Sequence, residues 1–162
     1  SEAIREVILN KDFTEMGYMT ELLLYASARA QLVKENIKPA LDAGQAVIAD
    51  RFVDSSAVYQ GIGRGLGVDT VYDVNEFALQ GIMPDMTFLM DLDAQEGIAR
   101  KKNQAELDRM ENEKMEFHQK VVDGYRMLAD MHPERIVKID ATLPIDEIHG
   151  IIVGYVEKKL NL

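Results

Sequence analysis

The residues from Asp50 to Gly67 (DRFVDSSAVYQGIGRGLG) hold the densest chemistry in this sequence. Two arginines, Arg51 and Arg64, stand with the hydroxyls of Ser55, Ser56 and Tyr59 and the amide of Gln60, among Gly61, Gly63, Gly65 and Gly67. A guanidinium is a planar five-donor fork that matches the oxygens of a phosphate. Arg51 is therefore a candidate ligand for an anionic oxygen cluster, a structural salt bridge to Asp50 or Asp54 being the lesser alternative. The four glycines also fit an ordinary flexible loop. Upstream, Tyr25 and Arg29 stand four residues apart, on one face of a helix. A ring to stack on a base and donors for its carbonyl would make a nucleobase clamp; a core tyrosine beside a solvated arginine is the plainer alternative. Downstream, Arg100-Lys101-Lys102 and Glu106 to Glu111 (ELDRME) give a local excess of base in an acidic chain. Phosphoryl transfer is catalysed mainly by positioning and charge neutralisation, so a basic segment closing over phosphates fits. A solvated helix face with i,i+4 ion pairs fits as well.

These residues need elements to hold them. Apolar positions Met19, Leu22, Leu23, Ala26, Ala30, Val33, Ile37 and Leu41 predict a long helix over Tyr18 to Ala43, with Pro39 as a possible kink and Gly44 as its stop. Three short apolar runs, each ending in an acid, predict buried parallel strands: Ala46 to Asp50, Met86 to Asp91 and Arg135 to Asp140. Helical patterns cover Glu2 to Leu9, Asp69 to Leu79, Ala94 to Lys102, Glu111 to Met131 and Pro144 to Leu160, the last with a stripe of Ile145, Ile148, Ile152, Tyr155 and Val156 that would cover the sheet. Strand–helix alternation gives an α/β sheet, whose ligands bind beyond the carboxyl ends of its strands. That places Asp50-Arg51, Asp91, Asp93 and Asp140 on one rim.

The 162 residues suit one domain, and no repeat or linker divides them. With 28 acidic and 18 basic side chains the net charge is −10, which argues against sequence-independent nucleic-acid binding. No apolar run approaches the ~20 residues that span a bilayer. The absence of cysteine leaves neither disulfides nor thiolate zinc sites, and three scattered histidines offer little to a metal. A cytoplasmic protein is the default expectation.

Taken in order, these segments resemble the bacterial thymidylate kinases, nucleoside-monophosphate kinases with a phosphate-binding loop. TELLLYASARAQLVKENIKPAL resembles the family's ELLLF-A-x-R-x-Q helix, and ADRFVDSSAVYQGIGRGLG its DR[YF]-x-DSS-x-AYQG-x-GRGLG segment. PDMTFLMDLDAQEGIAR, ELDRMENEKMEFHQKVVDGYRML and IDATLPIDEIHGII resemble its later strands and helices. The resemblance implies a three-layer α/β/α sheet and transfer of the ATP γ-phosphoryl group to dTMP, with Mg2+, by a cytoplasmic homodimer. It also implies roles. Tyr25 replaces the family's phenylalanine on thymine, Arg29 meets the thymine carbonyl, and Arg51 holds the 5′-phosphate with Asp50 beside it. Ser55, Ser56 and Gln60 line the base and sugar, and Tyr59 lies under the deoxyribose. Arg100 and Arg109 belong to a lid over about 99–111, and Asp108 and Glu111 flank the acceptor.

The sequence departs from the family in two places. The lid, RKKNQAELDR, has fewer arginines than the family's version and lacks the glycine before ELDR. The chain opens on SEAIREVIL, which follows the phosphate loop in the family, and contains no G-x-x-x-x-G-K-[ST]. The resemblance therefore implies an N-terminally truncated kinase domain over 1–162, missing first strands and impaired as it stands. A non-catalytic nucleotide-binding or dimerising fragment is the alternative.

Overall fold

The computed structural model describes residues 2–102 and 108–161. It is helix-rich α/β. Helix α1 (Glu2–Leu9) packs on α2 (Tyr18–Leu32), which continues through a wide π turn (Val33–Ile37) into α3 (Lys38–Asp42). Next come α4 (Val53–Ser56), a second wide turn (Ala57–Gly63) and α5 (Val68–Leu79). Strand β1 (Thr87–Asp91), α6 (Ala94–Lys102), α7 (Met115–Met131), β2 (Ile136–Asp140) and α8 (Ile145–Leu160) complete the chain.

Two of the three expected strands form. β1 and β2 pair in parallel from Thr87↔Ile136 to Asp91↔Asp140, so the two terminal acids lie side by side. Parallel neighbours need a long crossover, which α6 and α7 supply. The third expected strand, Ala46 to Asp50, is not one: the run is unpaired, and Ile48 is 99% exposed. An apolar run becomes a strand only where a ladder partner lies beside it, and the described residues bring none there.

The long predicted helix is interrupted as well. Pro39 has no N–H, and its ring would crowd the carbonyl four residues back. The backbone widens just before it, so that Lys38 N–H donates to Val33 O, five residues back. Gly44, at φ +75, ends the element where expected.

The glycine-rich stretch is not a flexible loop. Val53 to Gly63 is helical, and two of its glycines are there for close approach. A Cβ on Gly61 would stand 3.2 Å from Val68 Cα, and one on Gly63 only 2.7 Å from the Phe117 ring. Gly65 and Gly67, at φ +78 and +89, make the left-handed turn into α5. Around this turn the core gathers Leu22, Ala57, Val58, Val71, Phe117, Val121 and Leu128, from α2, the second wide turn, α5 and α7. α7 starts at Met115 rather than Glu111, because the residues before it form a separate capped turn. Pro144 precedes α8 instead of opening it. The α8 stripe covers the sheet only partly: Tyr155 meets Phe88 edge-on at 6.2 Å, while Ile145 is 85% exposed.

Candidate functional site

Arg51 is held in an unusual posture. Its φ of +66 lies in the left-handed region, which costs a non-glycine residue roughly 1–2 kcal/mol. Such strain persists where the surroundings over-determine it, and those surroundings are visible. The guanidinium lies 4.4 Å from the centre of the Tyr59 ring, and Nε donates to Ser55 Oγ at 3.3 Å. Ser55 Oγ in turn bonds the Tyr125 hydroxyl at 2.7 Å. Tyr59 is braced edge-on by Phe117 at 6.0 Å and Tyr125 at 6.3 Å. Neither of the possible salt-bridge partners takes Arg51. Asp54 is bound through both oxygens by Arg135, at 2.7 and 2.9 Å, and Asp50 is exposed. Arg51 thus offers an exposed cation on an aromatic platform, with no carboxylate paired to it among the described residues.

One helix turn apart on α2, Tyr25 and Arg29 stand beside this platform. Tyr25 is half-buried; burial raises its pKa, and the Glu21 charge adds to the rise. Arg29 is not a solvated arginine: it is 8% exposed. Nη1 donates to Asn75 Oδ1, and Nη2 donates to Ser56 Oγ at 2.8 Å and to the Phe52 carbonyl at 3.4 Å. Burial pushes its pKa down to about 10, which still leaves a cation at neutral pH.

A turn earlier on the same face, Glu21 is fully buried and both of its oxygens are occupied. Oε1 accepts from Gln60 Nε2 at 2.9 Å and Arg64 Nε at 3.3 Å; Oε2 accepts from Arg64 Nη2 at 3.2 Å and Arg109 Nη2 at 2.5 Å. Burial alone would raise its pKa, but these donors hold it below the ordinary carboxylate value. Arg64 also reaches Glu113 at 2.6 Å and lies between the rings of Tyr18 and Phe117. Arg109 additionally donates Nε to the Ile8 carbonyl at 2.7 Å.

The remaining candidates hold local structure. Asp108 Oδ1 accepts the backbone N–H groups of Met110 and Glu111, both at 2.8 Å, and Glu111 accepts the Asp108 N–H at 2.9 Å. Glu111 also pairs with Lys101 at 3.1 Å. Arg100 bonds Glu96 at 2.5 Å and the Ala141 carbonyl at 3.0 Å, which ties α6 to the loop after β2. That loop borders an open cavity lined by Asp91, Asp93, Glu96, Arg126, Asp140 and Thr142. Residues 103–107 of the expected lid lie outside the described residues.

The structure thus gathers Tyr25, Arg29, Arg51, Ser55, Ser56, Tyr59 and Gln60 around α2 and the wide turn that follows α4. Arg109 joins them through Glu21, whereas Arg100 stands at the strand ends with the acidic cavity. The sequence reading missed Glu21, Asn75 and Tyr125. Glu21 extends the spacing of Tyr25 and Arg29 back by four, and Asn75 interrupts the apolar stripe of Val71, Ala78 and Leu79.

The family model described as Thymidylate kinase matches residues 1–152. A protein named thymidylate kinase from Geobacillus thermodenitrificans (strain NG80-2) is 49% identical, with 99% of this chain and 72% of the relative covered. Thymidylate kinases from Clostridium novyi (strain NT), at 45%, and Halalkalibacterium halodurans, at 42%, align with 97% and 100% of this chain and 78% of their own lengths.

Proposed function

The chain belongs to the thymidylate kinase family, whose members transfer a phosphoryl group to dTMP, and from that premise we propose how this chain holds its acceptor. The observation that carries the reading is Arg51, a strained, exposed cation fixed over the Tyr59 ring and paired with no carboxylate among the described residues. Its free donors take the 5′-phosphate of dTMP, and Tyr59 lies under the deoxyribose. Tyr25 stacks on thymine, one helix turn from Arg29, which donates to a base carbonyl. Ser55, Ser56 and Gln60 line the base and sugar. Asp108 and Glu111 flank the acceptor through the turn they cap.

The donor in this reading is ATP. A non-bridging oxygen of the dTMP phosphate attacks the γ-phosphorus in line, and the bond to the β,γ-bridging oxygen breaks, giving dTDP and ADP. The protein contributes alignment and positive charge rather than a covalent intermediate. Arg51 offsets repulsion between the two anions; Arg100 supplies further charge on the donor side, and Arg109, held by Glu21 beside the acceptor residues, supplies it from the acceptor side.

Mg2+ is usually held by one or two carboxylates together with water and substrate phosphates. Asp50, exposed beside Arg51, is a donor of that kind. Among the described residues no group of three or more His, Asp or Glu side chains assembles into a ligand cluster. When bound, the ion would neutralise phosphate charge.

The domain in this reading covers 1–162, within a three-layer α/β/α sheet, with a lid over about 99–111. We further read a cytoplasmic homodimer that binds neither nucleic acid nor membrane. The net charge of −10 supports this, as do exposed Tyr18, Met19 and Leu23 on α2, which a second copy could cover. Among the described residues no helix is long and apolar enough to cross a membrane.

Titration of the chain with dTMP by calorimetry tests the acceptor site without the donor. We expect binding in the absence of ATP, weakened at least about tenfold in Arg51→Ala, since a hydrogen bond to a charged group contributes about 1.5–3 kcal/mol. Unchanged affinity in that variant would remove Arg51 from the site.

A further inference from the structure

Arg29 poses an energetic problem that its assigned role does not solve. It is a buried cation whose hydrogen-bond partners are a neutral amide, a hydroxyl and a carbonyl, with no carboxylate among them. The Asp54 charge and the Phe52 ring, 5.5 Å from the guanidinium, offset part of the cost of burying this cation, but the atoms that take its hydrogen bonds are all neutral. A carboxylate partner would engage two donors and turn the fork toward itself. Neutral, separately placed acceptors take one side of the guanidinium and leave the rest open.

Asn75 is the residue that sets this side. It comes from α5, is fully buried, and donates Nδ2 to the Val71 carbonyl one turn earlier at 2.8 Å. That bond fixes which way the amide faces, because only the NH2 group can donate. Oδ1 is thereby committed to Arg29 Nη1. Ser56 and the Phe52 carbonyl hold Nη2. Arg29 Nε has no hydrogen-bond partner among the described residues. No side-chain nitrogen or oxygen among them is both buried and unpartnered, so Nε is open to solvent. The open edge can only donate.

We propose that Asn75 is a positioning residue for base selection: it holds Arg29 so that its free N–H edge meets a keto oxygen of the acceptor's pyrimidine and rejects an amino group at the same place. This rests on the reading of Arg29 as the base-binding arginine. Discrimination follows because a 4-amino group brings a donor to a donor and leaves both unpaired in a poorly solvated site.

The test is calorimetric titration of the chain with dUMP and dCMP, which differ at the 4-keto and 4-amino edge, and with dTMP. In Asn75→Leu the affinity for dTMP and dUMP should fall about tenfold, with little change for dCMP, so the dUMP/dCMP ratio narrows by a similar factor. Asn75→Ser, whose hydroxyl can still donate to the Val71 carbonyl but is too short to reach Arg29, should behave likewise and serves if the leucine variant does not fold. Asn75→Asp brings a carboxylate that would turn the fork toward itself and cannot donate to the Val71 carbonyl, so it should narrow the ratio as the leucine variant does. A folded leucine or serine variant with the parental ratio, or with equal losses for all three nucleotides, overturns the proposal. Arg29→Met separates the two levels. If it erases discrimination while the Asn75 variants do not, only the Asn75 proposal fails; if it leaves affinity and ratio unchanged, the base-binding role of Arg29 fails and takes the proposal with it.

Discussion

The region around Glu21 and the region around β1 use the same ingredients, apolar runs punctuated by charge, in opposite ways. Around Glu21, charged groups are taken inside. Glu21 is fully buried, and the Arg64 and Arg109 side chains are 5% and 12% exposed, each bound by donors and acceptors from other elements. Around the sheet the apolar groups are left outside: Met90 on β1 is 42% exposed, Ile145 after β2 is 85% exposed, and Ile48 in the expected strand that does not form is 99% exposed. Helical packing of α2, α5, α7 and the second wide turn is self-sufficient, because every helix satisfies its own backbone and needs neighbours only for its side chains. A sheet edge cannot do this. Its backbone groups and its faces both depend on partners, so the two-stranded sheet leaves its surroundings unfinished while the helical cluster closes its own core.

The sharpest break of this comparison is Glu21→Ala. Among the described residues it would leave Arg109 with the Ile8 carbonyl and Arg64 with Glu113 and the Met110 sulfur, and breaking a buried ion pair from one side costs about 3–5 kcal/mol. In a domain of this size that lowers the thermal midpoint by on the order of 10 °C. The same carboxylate gives a pH signature. Its folded pKa lies below the ordinary 4.5, so its stabilisation is full above that value and is lost as pH falls through the lower folded value. Glu21→Gln should therefore flatten the acid limb of the stability curve. A midpoint drop of less than about 2 °C in Glu21→Ala would show the cluster to be dispensable.

Gly63→Ala probes the packing that holds the platform. The added methyl would lie 2.7 Å from one Phe117 ring carbon and 3.1 Å from the next. That ring cannot swing freely, because it braces Tyr59 on one side and carries the Arg64 guanidinium 4.7 Å from its centre. Overpacking of this kind costs about 1–3 kcal/mol, and denaturant unfolding should find the alanine variant less stable by that amount. Because Phe117 supports Tyr59, the same variant should also bind dTMP more weakly. Parental stability would mean that the ring yields and the platform is softer than its contacts indicate.

The sequence carried these regions unequally. β1, β2 and α6 appear within a residue of their expected bounds, because a short apolar run closed by an acid, or a helical pattern after it, is local information. Ala46 to Asp50 has the same local signature and forms no strand, since pairing is not written in the run itself. The π turn at Val33–Ile37 was hidden because Val33 and Ile37 are four apart, as in an unbroken helix. In the site, the shared face of Tyr25 and Arg29 is legible from spacing, while nothing local to Glu21, on the same spacing, tells a buried acid from a solvated one. Asp54 and Arg135 lie 81 residues apart, and nothing local to either announces their bidentate pair.

Ile48→Thr gives the smallest effect and sharpens the comparison from its other side. A side chain 99% exposed has no packing to lose, so the substitution should change unfolding free energy by no more than about 0.5 kcal/mol. Thermal unfolding of the chain and its variant at the same pH and salt measures this directly. The threonine keeps the β-branched shape that suits an extended backbone, so only the apolar surface is altered. A loss of about 1.5 kcal/mol or more would mean that Ile48 is buried in solution, as a strand residue would be. The contrast drawn between a helical cluster that closes its own core and an unfinished sheet would then fail at its most exposed point.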